Sequence, residues 1–289
     1  MKILVTGASG QLGSELHNLL ETKLPGTTTY AYRDTVDLTD QATVDRFVAD
    51  GQFSHIINCA AYTNVEEAET HPRECRSANV DAVGVLASAA QKADAKIIHI
   101  STDYVFDGKT NHPYKESDRV NPLSEYGRSK RQGEILLLDM ASEGLIIRTS
   151  WLYSPYRKNF VKTMMAKAEA GIPAKVVIDQ VGTPTYTADL ANAIIKILMS
   201  PRWLGGIFNY SNQGVCSWYD IAAEVYKLLG RDPAMVKPIT SDNIHMQAQR
   251  PLYSVLDKNL IANTYGIEVP YWRESLEHCM KRLLSDKSK

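Results

Sequence analysis

Tyr126 and Lys130 stand four residues apart in the segment EYGRSK, residues 125–130. Side chains at positions i and i+4 of a helix lie on the same face, so the phenol and the ammonium can meet at one site. A free phenol has a pKa of about 10, and a neighbouring ammonium lowers that pKa by favouring the phenolate. Such a pair suits acid–base chemistry near neutral pH. An ordinary pair on a helix surface has the same spacing, so the surrounding elements must distinguish the two interpretations.

Two hydroxyl residues, Ser101 and Thr102, stand at the end of the apolar run that precedes this helix. A short and nearly continuous apolar run predicts a buried strand of a parallel sheet. This places the hydroxyl groups of these two residues at the carboxyl edge of that sheet. The segment between Thr102 and Tyr126 is a long loop, and long loops in compact domains usually serve a function. A hydroxyl, a phenol and an ammonium are thus predicted to converge, as hydride transfer to a ketone requires.

Three glycines, Gly7, Gly10 and Gly13, separate the first predicted strand from the first predicted helix in the segment TGASGQLG. Glycine permits a tight turn, a close approach of the backbone to a pyrophosphate and close packing of the helix on the strand. The unpaired N–H groups at the start of the helix then face the phosphates. The position of this loop predicts dinucleotide binding, although a bare turn would use glycines too.

The residues after the second predicted strand bear on which dinucleotide is bound. Arg33 can grip the 2′-phosphate of NADPH, whereas Asp34 can accept a hydrogen bond from the 2′-hydroxyl of NADH. Arg33 comes first and favours NADPH, with NADH and a solvated surface arginine as the alternatives. Asp37 and Leu38 follow and are expected to flank the adenine.

Alternating apolar runs and helical patterns predict an α/β fold, a Rossmann-like doubly wound parallel sheet. The predicted strands cover residues 2–6, 27–32, 55–60, 96–101 and 145–150, and the predicted helices cover 11–24, 41–49, 72–92, 124–138, 159–170, 187–199, 217–229 and 271–285. The pattern loosens after about residue 150. We therefore expect an NAD(P)-binding core in residues 1–150, to which later segments return, interwoven with a small mixed C-terminal lobe that occupies mainly residues 151–289.

The composition excludes several classes of function. The net charge is −1, from 32 basic and 33 acidic residues, so no basic surface favours nucleic acid or a membrane as the partner. The four cysteines form no CxxC pair and the seven histidines show no metal-ligand spacing. No segment has the length of a membrane span or the pattern of a signal peptide. We expect a cytoplasmic protein.

The whole chain resembles a known family. The segments TGASGQLG, STDYVFDG and EYGRSK are similar to those of the extended short-chain dehydrogenase/reductases, whose glycine loop has the form GxxGxxG. Within that group the chain resembles the dTDP-4-dehydrorhamnose reductase family over nearly all of its 289 residues. The most specific segments are CAAYTNVEEAE, IIRTSWLY, NFVKTMM, DQVGTPTYTADLA and RPLYSVLD.

The resemblance implies NAD(P)H-dependent reduction of the C4 ketone of dTDP-4-dehydro-L-rhamnose to dTDP-L-rhamnose, for polysaccharide synthesis. It implies that Tyr126 gives a proton to the C4 oxygen, that Lys130 tunes Tyr126 and binds the nicotinamide ribose, and that Thr102 donates to the same oxygen. The C-terminal lobe would bind the sugar nucleotide. The other residues it assigns to the cofactor are Gly10, Gln11, Leu12, Asp37, Leu38, Ala61, Tyr62 and Thr63.

Thr102, Asp103 and Trp151 match sugar-nucleotide contacts of the family, and Arg250 suits the diphosphate because a guanidinium complements phosphate oxygens. Each has an alternative role: Asp103 could cap a turn, Trp151 could pack in the core, and Arg250 could bridge loops.

Some members of the family dimerise through a magnesium site built from a glutamate of the first helix and an acidic pair of a later helix. Glu15 matches the glutamate, but Ala188 and Asp189 stand where two acids are needed. We expect no structural magnesium and a monomer or weak homodimer. Two other functions stay open: another nucleotide-sugar reductase or epimerase on the same fold, and a non-catalytic relative such as the regulatory subunit of methionine adenosyltransferase.

Overall fold

The computed structural model describes residues 1–287. Its strands are β1 (Ile3–Thr6), β2 (Thr28–Ala31), β3 (His55–Asn58), β4 (Lys96–Thr102), β5 (Gly144–Thr149), β6 (Leu152–Tyr153), β7 (Ala174–Val177), β8 (Val181–Gly182), β9 (Thr185–Tyr186), β10 (Gly206–Asn209), β11 (Cys216–Ser217) and β12 (Val236–Ile239). Its α-helices are α1 (Gln11–Lys23), α2 (Gln41–Gly51), α3 (Val65–Thr70), α4 (Pro72–Arg76), α5 (Ala82–Lys92), α6 (Glu125–Met140), α7 (Phe160–Glu169), α8 (Thr187–Leu198), α9 (Trp218–Leu228), α10 (Asn259–Tyr265) and α11 (Trp272–Lys287).

Six parallel strands form the central sheet, in the order β10-β5-β4-β3-β1-β2. Every residue of β1 and β5 is buried, because helices cover both faces of the sheet. Leu16 of α1 and Ile194 of α8 belong to the apolar core on one face, and Val44 of α2 and Val83 of α5 belong to the core on the other. The predicted α/β doubly wound fold is confirmed.

A smaller lobe gathers the short strand pairs and three helices around a separate core. Met164 of α7, Val225 of α9 and Leu276 of α11 are buried in it. The strands β7 and β12 pair in parallel and β8 and β11 pair antiparallel, so this lobe is mixed in strand direction. The boundary at residue 150 stays a prediction, since β10 and α8 lie beyond it and yet belong to the main sheet and its cover.

The predicted strands and helices all form, with ends displaced by a few residues at most. The helix predicted over residues 72–92 consists of α4 and α5, joined by a π-helical turn at Ser77–Asp81. The short elements β6 to β12, α3 and α10 were not predicted, because two to seven residues carry too little periodicity to be recognised. Within residues 1–287, no helix is both long and apolar enough to cross a membrane.

Candidate active site

Thr102 and Tyr126 reach the same edge of the sheet from β4 and from the first turn of α6. Thr102 ends β4, and the Ser124 hydroxyl caps α6 by accepting a hydrogen bond from the Gly127 N–H at 3.2 Å. Gly127 allows a close approach, since a Cβ there would lie 2.3 Å from the carbonyl oxygen of Tyr104. The Tyr126 ring meets the Tyr104 ring edge-on at 5.8 Å, and the Thr102 hydroxyl lies close enough to the Tyr126 phenol to oppose the rise in that phenol's pKa.

Lys130 lies one turn further along α6 and is buried. Its Nζ donates to the carbonyl oxygen of Ile100 at 2.7 Å and lies 3.1 Å from Nε2 of His99. Burial lowers the pKa of Lys130 to about 8 and raises the pKa of Tyr126. Desolvation of the phenol dominates here and Nζ is directed towards β4, so the expectation that Lys130 lowers the pKa of Tyr126 stays a prediction.

The glycine loop leaves the start of α1 open to an anion. Gly7 has a φ of +64°, and a Cβ there would lie 2.5 Å from the backbone nitrogen of Ala60. A Cβ on Gly13 would lie 2.4 Å from the carbonyl oxygen of Gly7. Gly10 is the N-cap of α1 and supplies no side-chain cap, so the first N–H groups of the helix, which include those of Gln11 and Leu12, have no capping side chain and suit a pyrophosphate.

The side chain of Gln11 links this loop to the smaller lobe. Its Oε1 accepts hydrogen bonds from the Ser154 hydroxyl at 2.9 Å and from Nδ2 of Asn159 at 3.0 Å. Asn159 also caps α7, accepting from the Lys162 N–H at 3.1 Å. Gln11 can therefore offer its backbone to a cofactor while its side chain holds the two lobes together.

The loop after β3 carries Ala61, Tyr62 and Thr63 and is held from behind by Asn79. The Asn79 Oδ1 accepts from the Tyr62 N–H at 2.8 Å, and its Nδ2 donates to the Tyr62 carbonyl at 3.1 Å and to the Ser129 hydroxyl of α6 at 3.0 Å. Asn79 lies in the π-helical turn, a distortion that often marks functional sites. It fixes this loop against the helix that carries Tyr126.

The adenosine end of the proposed cofactor site lies beyond β2. Arg33 and Asp34 are both exposed there, and neither takes part in an ion pair with another residue of the described range 1–287. Asp37 accepts hydrogen bonds from the Thr39 N–H at 2.9 Å and its hydroxyl at 2.7 Å, and Leu38 packs partly against the core. Arg33 is thus free to meet a phosphate.

The strand order sets these groups side by side along one edge of the sheet. The loops after β2, β1 and β3 and the end of β4 follow one another in that order. Neighbouring strands are about 4.8 Å apart, so the edge from β2 to β4 spans roughly 14 Å. An extended dinucleotide can lie along it, with its adenosine near Arg33 and its nicotinamide near Tyr126.

Asp103 lies beside Thr102 with one carboxylate oxygen unsatisfied. Its Oδ1 accepts from the Thr102 hydroxyl at 3.1 Å, whereas its Oδ2 is buried and has no hydrogen-bond partner within residues 1–287. Burial raises the pKa of Asp103 to about 7, and the hydroxyls of Ser254 and Thr102 oppose the shift. A buried acceptor without a partner is costly, so this oxygen is suited to a ligand hydroxyl.

Trp151 follows β5 and forms a flat aromatic surface with Trp218. The two rings stack at 4.1 Å with an interplanar angle of 18°. The backbone of Trp151 has a φ of +49°, an uncommon conformation for a bulky residue that often marks a functional site. Gly182 lies against the ring, because a Cβ there would come within 2.7 Å of it. Trp151 is only partly buried, so core packing does not account for the whole side chain.

Arg250 bridges two parts of the chain, the second of the roles considered for it, and its diphosphate role stays a prediction. Its Nη2 pairs with Oε1 of Glu66 at 2.8 Å, which ties its loop to α3. Its Nε is buried and has no hydrogen-bond partner among the described residues. The guanidinium also lies close enough to Tyr104 to oppose the rise in that phenol's pKa, and Tyr104 touches Tyr126. One residue, Tyr104, therefore separates Arg250 from Tyr126, the proton donor expected from the sequence.

Sequence reasoning missed the buried polar residues behind the site, namely Asn58, Asn79, His99, Glu134 and Arg148. Arg148 and Glu134 form a buried ion pair with two hydrogen bonds of 2.8 Å. The indication was present in the sequence: Arg148 interrupts the strand LIIRTS and His99 interrupts KIIHIS. A polar residue inside a buried strand needs a buried partner, but the partner's position depends on how the elements pack.

The two acids considered for magnesium are both held by protein donors. Glu15 is buried and accepts from Nη1 of Arg282 at 2.7 and 3.0 Å. Asp189 accepts from Nδ2 of Asn212 at 2.7 Å and from the Ser275 hydroxyl at 2.6 Å. Residues 1–287 contain no group of three or more His, Cys, Asp and Glu side chains arranged to hold a metal. The absence of structural magnesium stays a prediction.

Comparison with known proteins agrees with this geometry. The sequence model described as the RmlD substrate binding domain matches residues 1–285. A dTDP-4-dehydrorhamnose reductase of Aggregatibacter actinomycetemcomitans is 37% identical over 96% of this chain and 97% of its own length. The solved structure of a dTDP-4-dehydrorhamnose reductase from Clostridium acetobutylicum superposes with a TM-score of 0.93 at 39% identity, covering 98% of this chain and all of that one. The Bacillus anthracis reductase, solved in complex with NADP, gives a TM-score of 0.92 at 34% identity over 98% of this chain and all of its own. The chain belongs to the RmlD substrate binding domain family.

Proposed function

We propose that this chain reduces the C4 ketone of dTDP-4-dehydro-L-rhamnose to give dTDP-L-rhamnose, with NADPH as the reductant. The observation that carries the proposal is the meeting of the Thr102 hydroxyl and the Tyr126 phenol at the carboxyl edge of the sheet, beside the uncapped start of α1. NADPH, when bound, supplies the hydride that C4 receives. The relatives of the family named above support the substrate.

Tyr126 is proposed to donate the proton to the C4 oxygen. Burial raises the pKa of Tyr126, so the phenol carries its proton at neutral pH and is ready to act as an acid in the direction of reduction. An alkoxide is a much stronger base than a phenolate, so proton transfer to the newly reduced oxygen is favourable. Thr102 would donate a second hydrogen bond to that oxygen while the charge develops on it.

Lys130 is proposed to stabilise the phenolate that remains and to bind the ribose next to the nicotinamide. It lies one helical turn from Tyr126, and an ammonium there favours the charged form of the phenol. Its hydrogen bond to the Ile100 carbonyl, at 2.7 Å, fixes Nζ close to the end of β4. The charge of Lys130 then acts after the proton has left Tyr126.

Asp103, Trp151 and Arg250 are proposed to bind the sugar nucleotide. The free Oδ2 of Asp103 would accept from a sugar hydroxyl, and the stacked indole of Trp151 offers an apolar surface to the pyranose ring. Arg250 has an unpaired buried Nε, and a guanidinium is the side chain best matched to diphosphate oxygens. Its pairing with Glu66 then orients it for that contact.

Turnover of the purified protein tests the proposal. The substrate is dTDP-4-dehydro-L-rhamnose made enzymatically, and the readout is the loss of NADPH absorbance together with the sugar nucleotide formed. Tyr126→Phe should lower kcat by roughly 10²-fold or more, since it removes the general acid and keeps the ring. Tyr265→Phe, which alters a tyrosine packed against β10, is the matched control and should keep full activity. Conversion of the sugar without consumption of added NADPH would favour an epimerase instead.

We also propose that the protein acts as a monomer or weak homodimer in the cytoplasm. Glu15, which the family's magnesium-bridged dimers need, is held here by Arg282. The cysteines Cys59, Cys75, Cys216 and Cys279 are free thiols, which suits a reducing compartment. Sedimentation velocity with and without added Mg²⁺ measures the oligomeric state, and a tight Mg²⁺-dependent dimer would contradict this proposal.

A further inference from the structure

A chain of buried polar side chains runs from Lys130 into the centre of the sheet. Nζ of Lys130 lies 3.1 Å from Nε2 of His99, and Nδ1 of His99 lies 3.0 Å from Nδ2 of Asn58. His99 is fully buried, and Asn58 and Lys130 are nearly so. The protons on these three side chains can be assigned only if the orientation of one of the side chains is known independently.

Asn58 is the member whose orientation is fixed. Its Oδ1 accepts from the backbone N–H of Ala60 at 3.0 Å and from the Thr6 hydroxyl at 2.7 Å. A backbone N–H can only donate, so the amide cannot be turned round without placing two donors face to face. The Nδ2 of Asn58, also a donor only, therefore points at His99.

The orientation of Asn58 determines the tautomer of His99. Because Asn58 donates to Nδ1, that nitrogen must be an acceptor and carry no proton. An imidazole whose Nδ1 carries no proton is neutral, and burial, which lowers the pKa of His99 well below the ordinary value, favours the same state. A neutral imidazole has one N–H, so the proton must be on Nε2, and this N–H points at Nζ of Lys130.

An ammonium at Lys130 would therefore meet His99 donor to donor. A neutral amine resolves the conflict, because its lone pair accepts from Nε2–H while one of its own N–H groups still donates to Ile100. We propose that His99 is a positioning residue that holds Lys130 as a neutral amine in the resting protein, and that Lys130 becomes an ammonium only by giving up this hydrogen bond. His99, inside the sheet, thus determines the charge on Lys130, and that charge acts on Tyr126.

The groups around Lys130 bear on the same equilibrium. Burial lowers the pKa of Lys130 to about 8. Three nearby residues oppose this shift by raising the pKa, namely Glu134 of the same helix, Cys75 of α4 and Cys59 after β3. The structure places no carboxylate in hydrogen-bond contact with Nζ; of the described residues, its partners are His99 and Ile100. The hydrogen bond from Nε2–H of His99, which only the neutral amine accepts, favours the neutral form of Lys130 beyond the effect of burial.

The tautomer of His99 is the direct test, and it does not depend on turnover. Two-bond ¹H–¹⁵N correlation spectra of ¹⁵N-histidine-labelled protein distinguish Nε2–H from Nδ1–H, and comparison with His99→Gln assigns the signal. We expect the Nε2–H form, without titration, from pH 6 to 9. The Nδ1–H form would overturn the proposal, because His99 would then be an acceptor for an ammonium. If His99→Gln does not fold, neutron diffraction of the unaltered protein locates the proton on the His99 ring directly.

The pH profile of kcat/KM tests the consequence for catalysis, which rests on the proposed function. If the phenolate left on Tyr126 needs the ammonium of Lys130, activity falls as pH rises through the pKa of Lys130. His99→Gln removes a hydrogen bond that only the neutral amine accepts, so this alkaline limb should move up by about one pH unit, the equivalent of one hydrogen bond. An unmoved limb would contradict the proposal. His55→Gln, at the opposite end of β3, should leave the limb in place.

Discussion

The buried ion pair between Glu134 and Arg148 offers a large and well-defined perturbation of the fold around the site. Both side chains are essentially inaccessible, and Glu134 accepts from Arg148 at 2.8 and 2.8 Å and from the Ser101 hydroxyl at 2.6 Å. Ser101 precedes Thr102, and α6 carries both Glu134 and Tyr126. The pair joins α6 to β5, and the hydrogen bond from Ser101 joins α6 to β4, so Glu134 links the two elements that bring the Thr102 and Tyr126 hydroxyls together.

Glu134→Gln keeps the shape of the side chain but leaves the guanidinium of Arg148 buried without a counter-charge. Removing one partner of a buried pair costs about 3–5 kcal/mol. Unfolding entropy scales to roughly 0.6 kcal mol⁻¹ K⁻¹ for a chain of 289 residues, so the melting temperature should fall by about 5–8 °C. The activity per folded molecule should fall too, since the contact that holds α6 against β5 is weakened and α6 carries Tyr126.

Chemical denaturation and calorimetry of the purified variants measure this loss. Arg131→Gln is the control, because Arg131 donates to the same carboxylate at 2.9 Å from a partly exposed position, and such a contact is worth less than about 1 kcal/mol. The double variant Glu134→Leu/Arg148→Met leaves no charge buried and should lose less stability than Glu134→Gln alone. A loss below about 1 kcal/mol in Glu134→Gln would refute this account of the pair.

The pKa of Glu134 makes the same pair sensitive to acid. Burial opposes ionisation, but the hydrogen bonds and charge of Arg148, with those of Ser101 and Arg131, lower the pKa of Glu134 below its ordinary value. A carboxyl group whose pKa is lower in the folded state stabilises the fold above its unfolded-state pKa, and this contribution disappears as pH falls through the folded-state pKa. The difference between wild type and Glu134→Gln should therefore shrink below about pH 4.

Two further substitutions test the ends of the proposed ligand site. Arg33→Ala should raise the KM for NADPH by roughly 10-fold or more and leave the KM for NADH unchanged, since it removes charge-assisted hydrogen bonds to the 2′-phosphate alone; equal KM changes for both cofactors would contradict that role. Asp103→Asn should impair turnover and yet stabilise the fold at pH 8, because the pKa of Asp103 is raised to about 7. A raised pKa means that stability is lost as pH rises from the unfolded-state pKa through the folded one, so the gain, at most about 4 kcal/mol, should diminish between pH 8 and pH 5. A variant that is less stable than wild type at pH 8 would show that the carboxylate has a partner there.

The sequence predicted the sheet well because β1, β3 and β4 are apolar runs, each followed by a helical pattern. β10, with four residues, carried no such pattern and joined the sheet only through its pairing with β5. The approach of α6 to β4 was equally hidden, although Gly127 permits it, because a glycine inside a helix indicates close packing without naming the partner.

The sequence predicted which residues form the candidate site better than it predicted their pKa values. Spacing alone placed Tyr126 and Lys130 on one face, but their pKa values depend on burial, which spacing does not determine. The spacing predicted that the ammonium of Lys130 lowers the pKa of Tyr126, whereas in the folded chain His99 and Ile100 hold Nζ and desolvation raises the phenol's pKa. His99 and Arg148 were visible as polar residues in apolar strands, yet their partners lie 31 and 14 residues away.

Single turnover with NADPH deuterated at the transferable position tests the central claim most directly. Enzyme in excess is mixed with dTDP-4-dehydro-L-rhamnose, and the product is analysed by mass spectrometry and by NMR of the sugar. We expect deuterium at C4 of dTDP-L-rhamnose, formed at a rate that Tyr126→Phe lowers by roughly 10²-fold or more. Product without deuterium at C4, or an unchanged rate in Tyr126→Phe, would contradict hydride transfer at this site with Tyr126 as the proton donor.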